Sequence, residues 1–255
     1  MGNAKQIFTP KHDRPMHVVV FGSGPGVNLL GLLQAEKEMK ALFSIRALLV
    51  DKPCGFEEIG KAAGLPVILN SFKEFFSKRG VDDITDEKTR VAYDLESVKR
   101  LQELNFSIDL IFLANYMRVI YSPLLNAFPN AIINVHPSDL TVKDTQGERK
   151  YKGAHAVYDA LKAGEIKTRS SVFLVDSHLD TGPLLVSGPF VDYTEGVPVT
   201  KEKAKLHQEK QKIQSDLPAV KKALSLIAQG KLLVDENRGI WLENEKLGES
   251  GIICS

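Results

Sequence analysis

Cysteine is scarce in this chain. Cys54 and Cys254 are the only two, too few for a disulfide framework and without metal-ligand spacing, a usage that fits a reducing cytoplasm. Charge of one sign is also lacking. The 33 Lys and Arg against 32 Asp and Glu leave a formal charge of +1, so nothing global favours nucleic acid or a membrane surface. The locally basic "KEKAKLHQEKQK" (201–212) reads as a solvated helix face. No run approaches the roughly 20 apolar residues that span a bilayer, and "MGNAKQIFTPKHDRP" at the N-terminus has no apolar signal core. "MGNAKQ" lacks the Ser or Thr of a myristoylation signal, and the terminal "CS" is no prenylation box. Repeats, low-complexity tracts, a Walker A loop and a G-x-S-x-G elbow are all missing. No His, Cys, Asp and Glu set has metal spacing, so no metal is expected.

What is present is an ordinary globular composition, 43% hydrophobic over 255 residues, enough to bury a full core. Continuous apolar runs, "HVVVFG" (17–22), "IRALLVD" (45–51), "PVIL" (66–69), "IDLIFLAN" (108–115) and "AIINVH" (131–136), read as strands buried on both faces. Helical patterns fall at about 27–39, 55–63, 87–105, 122–127 and 154–163. The alternation predicts an α/β fold with a mostly parallel central sheet and helices on both faces. "SSVFLVD" (170–176) and "GPLLVSGPFV" (182–191) follow with no helix between them, so the sheet should turn antiparallel there. A long helix over about 199–229, interrupted near Pro218, then leads to a hairpin in "KLLVDENRGIWLE" (231–243) with Asn237–Gly239 as its turn. The expected organisation is a flexible segment 1–15, one domain 16–245 including the helix-hairpin of 199–245, and a tail 246–255.

Several strand ends carry polar groups. In "IINVHPSDL" (132–140), Asn134 and His136 are two apart and share one face of a strand. They either satisfy the turn begun by Pro137 or present chemistry at a strand end. "FGSGPGVN" (21–28) joins the first strand to the first helix, where Gly22, Ser23, Gly24, Gly26 and Asn28 form an anion-binding turn or simply a tight one. Arg118 in "LANYMRVI" (113–120) faces either solvent or a site, and "DSHLDTGPLL" (176–185) is either an acidic turn or a polar site loop. His155 near a helix start reads as a capping or packing residue, and His12, His17 and His207 suggest no site.

The order of these segments, together with "NVHPS", "KGAHAVYDAL", "LDTGP" and the tail "LPAVKKALSLIAQGKLLVDENRGIWLENEKL", resembles the folate-dependent formyltransferases over about residues 16–245. The resemblance implies a Rossmann-like formyltransferase fold with 10-formyltetrahydrofolate as the formyl-donating co-substrate. It makes Asn134, His136 and Asp180 the catalytic group. It puts the folate against Met117, Arg118, Val119 and Ile120 and against Asp176, Ser177, His178 and Leu179, and the acceptor's phosphate at Gly22–Asn28. These residue types suit the chemistry. An amide and an imidazole can hold the oxyanion that forms when an amine attacks the formyl carbon, and a carboxylate beside the imidazole should raise its pKa above about 6.5 and relay the proton.

The family's pattern changes at four places. Pro25-Gly26-Val27 lengthens the first turn, residues 139–150 are inserted, Phe173 replaces a common histidine, and Ile213 stands near a ribose-binding glutamate. The amine of phosphoribosylglycinamide in purine biosynthesis is the leading acceptor. The alternatives are another amine (an amino-sugar nucleotide or aminoacyl-tRNA), hydrolysis of the donor, or a binding module without turnover. Nucleic-acid and membrane partners are not expected, and the oligomeric state is open between monomer and homodimer.

Overall fold

A strand whose seven residues, Met16–Gly22, are all buried runs through the middle of a four-stranded parallel array. Phe43–Val50 pairs with it on one side and Leu110–Ala114 on the other, and Val67–Leu69 lies outside Phe43–Val50. Each is an apolar run flanked by helical segments, the pattern of a sheet covered on both faces. The computed structural model describes residues 3–254. Its chain divides into two compact units, Lys11–Ile133 and a second made of the segment through Pro10 together with Asn134 onward.

In the Lys11–Ile133 unit, helices Val27–Glu38, Gly55–Ala62, Glu87–Gln102 and Ser122–Ala127 lie close to the expected spans. A further short helix, Phe72–Ser77, was not expected. Ser71 caps it by accepting the Glu74 N–H, and its Phe72, Phe75 and Phe76 pack with Tyr93 into an aromatic cluster. Asp86 caps Glu87–Gln102 by accepting the Thr89 N–H at 2.8 Å. At the lower end of the sheet, Arg14 pairs with Asp109, which also accepts the His17 N–H at 2.8 Å.

The second unit begins within strand Ile132–His136, and Ser171–Leu174, Leu184–Ser187 and Ile252–Ile253 follow it across the sheet. Ser171–Leu174 and Leu184–Ser187 pair antiparallel, as expected, and Ile252–Ile253 adds a parallel edge. The hairpin is present as Leu232–Val234 and Ile240–Leu242. Its turn is longer than Asn237–Gly239, because Asp235 closes it: its carboxylate accepts the N–H groups of Asn237, Gly239 and the Trp241 indole. Those bonds hold the Asp235 carboxyl down at about 2. Within the segment expected to be flexible, Lys5–Gln6 forms a strand against Leu233–Val234.

The long helix is three pieces, Lys201–Gln211, a π-helical turn Lys212–Asp216, and Leu217–Ala228. Proline lacks an N–H and its ring crowds the carbonyl four residues back, so the widened turn just ahead of Pro218 relieves that clash. Buried polar groups fix this turn. Ser215 Oγ accepts the Ser170 N–H at 2.9 Å, Ser170 Oγ donates to Asp216, and Gln211 donates to Ser170 Oγ at 2.9 Å. Among the described residues, no helix is long and apolar enough to cross a membrane.

Candidate active site

Strand Ile132–His136 carries Asn134 half-buried and His136 buried, on one face because side chains alternate. His136 Nε2 donates to the main-chain carbonyl of Tyr151 at 3.1 Å, and Ser138 Oγ donates to the same oxygen at 2.6 Å. That leaves Nδ1 turned to Asp180, whose Oδ2 lies 3.5 Å away. A carbonyl can only accept, so Nε2 carries hydrogen and Nδ1 is the ring atom that faces the carboxylate. The anticipated rise in the His136 pKa is corrected. Burial pushes it below 6.5, outweighing the opposite pulls of Asp180 and the Tyr151 carbonyl, while the Arg149 charge adds to the lowering.

Asp180 reaches His136 from the loop after Ser171–Leu174, with a backbone φ of 54°. Its Oδ2 also accepts the Gly153 N–H at 2.8 Å. Asp176 folds the start of the loop, accepting the His178 N–H at 3.1 Å and the Thr181 hydroxyl at 2.7 Å. Ser177, His178 and Leu179 are left exposed.

Residues 139–150, expected to be an insertion, form an anchored hairpin. Asp139 takes two bonds from Arg169, at 2.8 and 3.3 Å, and Leu140 packs on Phe173 and Leu184. Asp144 closes the tip by accepting the N–H groups of Gln146 and Glu148, both at 2.9 Å, and the main chains at Lys143 and Arg149 pair antiparallel. Arg149 then donates to the carbonyls of Asp180 at 2.7 Å and Gly182 at 2.8 Å. Phe173 is thus a core residue under the insertion, whereas Ile213 is 67% exposed on the π-helical turn.

In the other unit, the loop after Met16–Gly22 brings Ser23 beside Met117, whose N–H donates to Ser23 Oγ at 3.3 Å. Gly22 is required because a Cβ there would lie 2.6 Å from the Phe56 ring. Gly26, at φ 90°, precedes helix Val27–Glu38 with no side-chain cap, so the first N–H groups of that helix, including that of half-buried Asn28, lack intrahelical acceptors. Gly24 presses so closely on Asn115 that a Cβ would sit 2.2 Å from its amide.

Met117 is exposed, Arg118 and Val119 are half-buried and Ile120 is buried. Arg118 does not simply face solvent. Its Nε donates to the buried Asp51 at 2.7 Å, and its guanidinium lies 4.0 Å above the Phe72 ring. A cavity of about 60 Å³ beside it is lined by Tyr93, Asp94, Met117, Arg118 and Val119 among others. Asp94 in its wall is pushed up to about 7 by burial, although it accepts the Tyr121 N–H at 2.6 Å.

His155 takes the position preceding helix Ala156–Lys162 but makes no side-chain cap. His207 is buried against Thr168, 2.8 Å from its hydroxyl. Arg149, the Tyr151 carbonyl, the Gly153 N–H and Asp51 were not anticipated. Only Asp51 had a signal, as the polar end of the "IRALLVD" run.

Comparison with known proteins gives one family match, Formyl transferase, over residues 16–216. The phosphoribosylglycinamide formyltransferase of Escherichia coli (strain K12) is 27% identical over 237 residues, 92% of this chain and 98% of that protein. The trifunctional purine biosynthetic protein adenosine-3 of Drosophila melanogaster is 31% identical over 177 residues, 68% of this chain; the chain spans only 12% of that relative's length. A solved phosphoribosylglycinamide formyltransferase from Coxiella burnetii superposes with a TM-score of 0.76 at 25% identity, covering 95% of this chain and all of that one.

Proposed function

The chain belongs to the formyl transferase family, and from that premise we propose that it moves a formyl group from 10-formyltetrahydrofolate to the glycinamide amine of phosphoribosylglycinamide. The observation that carries the reading is the buried His136–Asp180 pair, on a strand whose Asn134 shares the face of His136. The acceptor follows the Escherichia coli relative, which is matched over nearly its whole length.

The residues fit their parts. Asn134 offers an amide N–H to the developing oxyanion, and His136, once protonated, adds a positive charge beside Asp180; a pre-positioned donor of this kind contributes a few kcal/mol. Asp180 takes up the proton leaving the attacking amine and returns it to the departing folate nitrogen, with His136 as its partner. The donor supplies an activated formyl group and a nitrogen leaving group. In one unit, exposed Ser177–Leu179 present main chain that can read a flat heterocycle; in the other, the uncapped helix start at Val27–Asn28 suits a phosphate. The reading is that of a cytoplasmic enzyme, with no nucleic-acid or membrane partner.

The test is to follow tetrahydrofolate release spectroscopically with phosphoribosylglycinamide, with amino-sugar nucleotides and with no acceptor. Turnover with phosphoribosylglycinamide alone is the expected result. Turnover without acceptor makes the protein a hydrolase, and turnover only with another amine overturns the purine assignment.

A further inference from the structure

The 139–150 insertion places one cation where it can govern the acidic member of the pair. We propose that Arg149 is a positioning residue that holds Asp180 against His136, and that the insertion is the buttress that carries it. The inference rests on the proposed function for its kinetic arm only.

Asp180 needs such a hold. Its φ of 54° lies in the left-handed region, which a non-glycine residue adopts uncommonly and keeps where its neighbours over-determine it. Arg149 supplies two of those determinants, because its Nη atoms grip the carbonyls of Asp180 and Gly182 on either side of Thr181. A planar fork holds two acceptors in a fixed geometry, whereas a lysine ammonium carries rotatable donors on a flexible stem and fixes neither. The same segment sets the carboxylate too, because Gly153, just beyond the insertion, donates to Asp180 Oδ2. Burial lowers the Arg149 pKa, opposed by Asp176, Asp180 and Glu249, so the guanidinium is held in place at some cost in solvation.

The root of Arg149 is rigid. Asp139 is tied to Arg169, the Leu140 N–H to Ser171 Oγ, and the Lys150 N–H to the Val142 carbonyl. Beside Arg149 lies a cavity of about 500 Å³, also lined by Thr181, Arg238 and Glu249, through which a small cation can reach the guanidinium's place.

The experiment uses the full chain with Arg149→Ala and Arg149→Lys, each checked for a cooperative melt. Loss of a positioning contact predicts a fall of about 100-fold in kcat, with both KM values within about threefold of the parent. Lysine should not restore the rate, and added methylguanidinium should restore Arg149→Ala at least about tenfold. A second readout is independent of turnover: the imidazole titration of His136 followed by NMR. The charged groups facing His136 are Asp180, which raises its pKa, and Arg149, which lowers it. If Arg149 positions Asp180, its removal frees the carboxylate and the His136 midpoint falls. If Arg149 acts only as a charge, the midpoint rises, and that result overturns the inference. Full activity in Arg149→Lys overturns it as well. Should the parent enzyme transfer no formyl group, the functional reading fails, and the sign of the NMR shift still decides this one.

Discussion

His136 Nδ1 and Asp180 Oδ2 face each other at 3.5 Å, with both side chains less than a tenth exposed. Because Nε2–H is committed to Tyr151, Nδ1 is the imidazole atom left to face the carboxylate. Asp180→Asn keeps an acceptor for Gly153 but cannot take up a proton. It should lower kcat by about 10²–10⁴ while leaving the far-ultraviolet circular dichroism unchanged. A variant within tenfold of the parent would sink the relay.

The lowered His136 pKa has a stability consequence. The unfolded chain binds a proton near pH 6.5, whereas the folded chain resists it until lower pH. Stability should therefore be complete above about pH 6.5 and decline as the pH falls below it. Urea midpoints between pH 7.5 and 5 should fall less steeply in His136→Gln than in the parent; parallel slopes would show that His136 is not the buried base.

Asp94 acts in the opposite sense. Titrating at about 7 in the folded protein instead of near 3.8, it contributes stability that is full below pH 4 and lost as the pH rises through 7. The difference corresponds to about 4 kcal/mol at most. Asp94→Asn preserves an acceptor for the Tyr121 N–H, so its advantage over the parent should grow steadily from pH 4 to 8 in thermal melts. A constant offset across that range would count against the assignment.

Gly182 admits no side chain. A Cβ there would lie 1.6 Å from the Leu174 carbonyl, a main-chain atom that cannot swing aside. Gly182→Ala should cost more than about 3 kcal/mol, and because Gly182 also receives Arg149, any folded fraction should lose activity. Gly64→Ala has open space around its Cβ and only its positive φ to strain it, so it is the control: a melt drop as large as that of Gly182→Ala would refute the steric account.

Arg118 is the counter-ion of Asp51, which is 1% exposed. Removing it strands a buried carboxylate, so Arg118→Ala should destabilise by about 3–5 kcal/mol, whereas the double change with Asp51→Asn should recover much of that loss. Denaturant curves of the single and double variants provide the check; additive losses would mean the ion pair is incidental.

Pattern alone made some of this legible. Val18–Phe21 and Leu110–Ala114 are buried on both faces and so read as unbroken apolar runs, while the period of two placed Asn134 with His136. Asp180 lay in a loop marked only as a possible polar site, and its partnership with His136 entered through resemblance, because the two meet across more than 40 residues of sequence. Arg149 was invisible for a different reason: its partners are carbonyls, which every residue possesses. The interruption near Pro218 was legible, but its π-helical form was not, because Ser170, just ahead of strand Ser171–Leu174, fixes it by meeting Ser215 and Asp216.

The Tyr151 carbonyl receives both His136 and Ser138, and that oxygen belongs to the backbone. The imidazole therefore depends on the path of the main chain, which the buried Tyr151 ring and its bond to Glu165 hold in place, and evolution cannot shorten the stretch that delivers the oxygen. The inserted segment should tolerate spelling changes at its tip and reject single-residue deletions, so its inheritance would be recorded in length more than in composition.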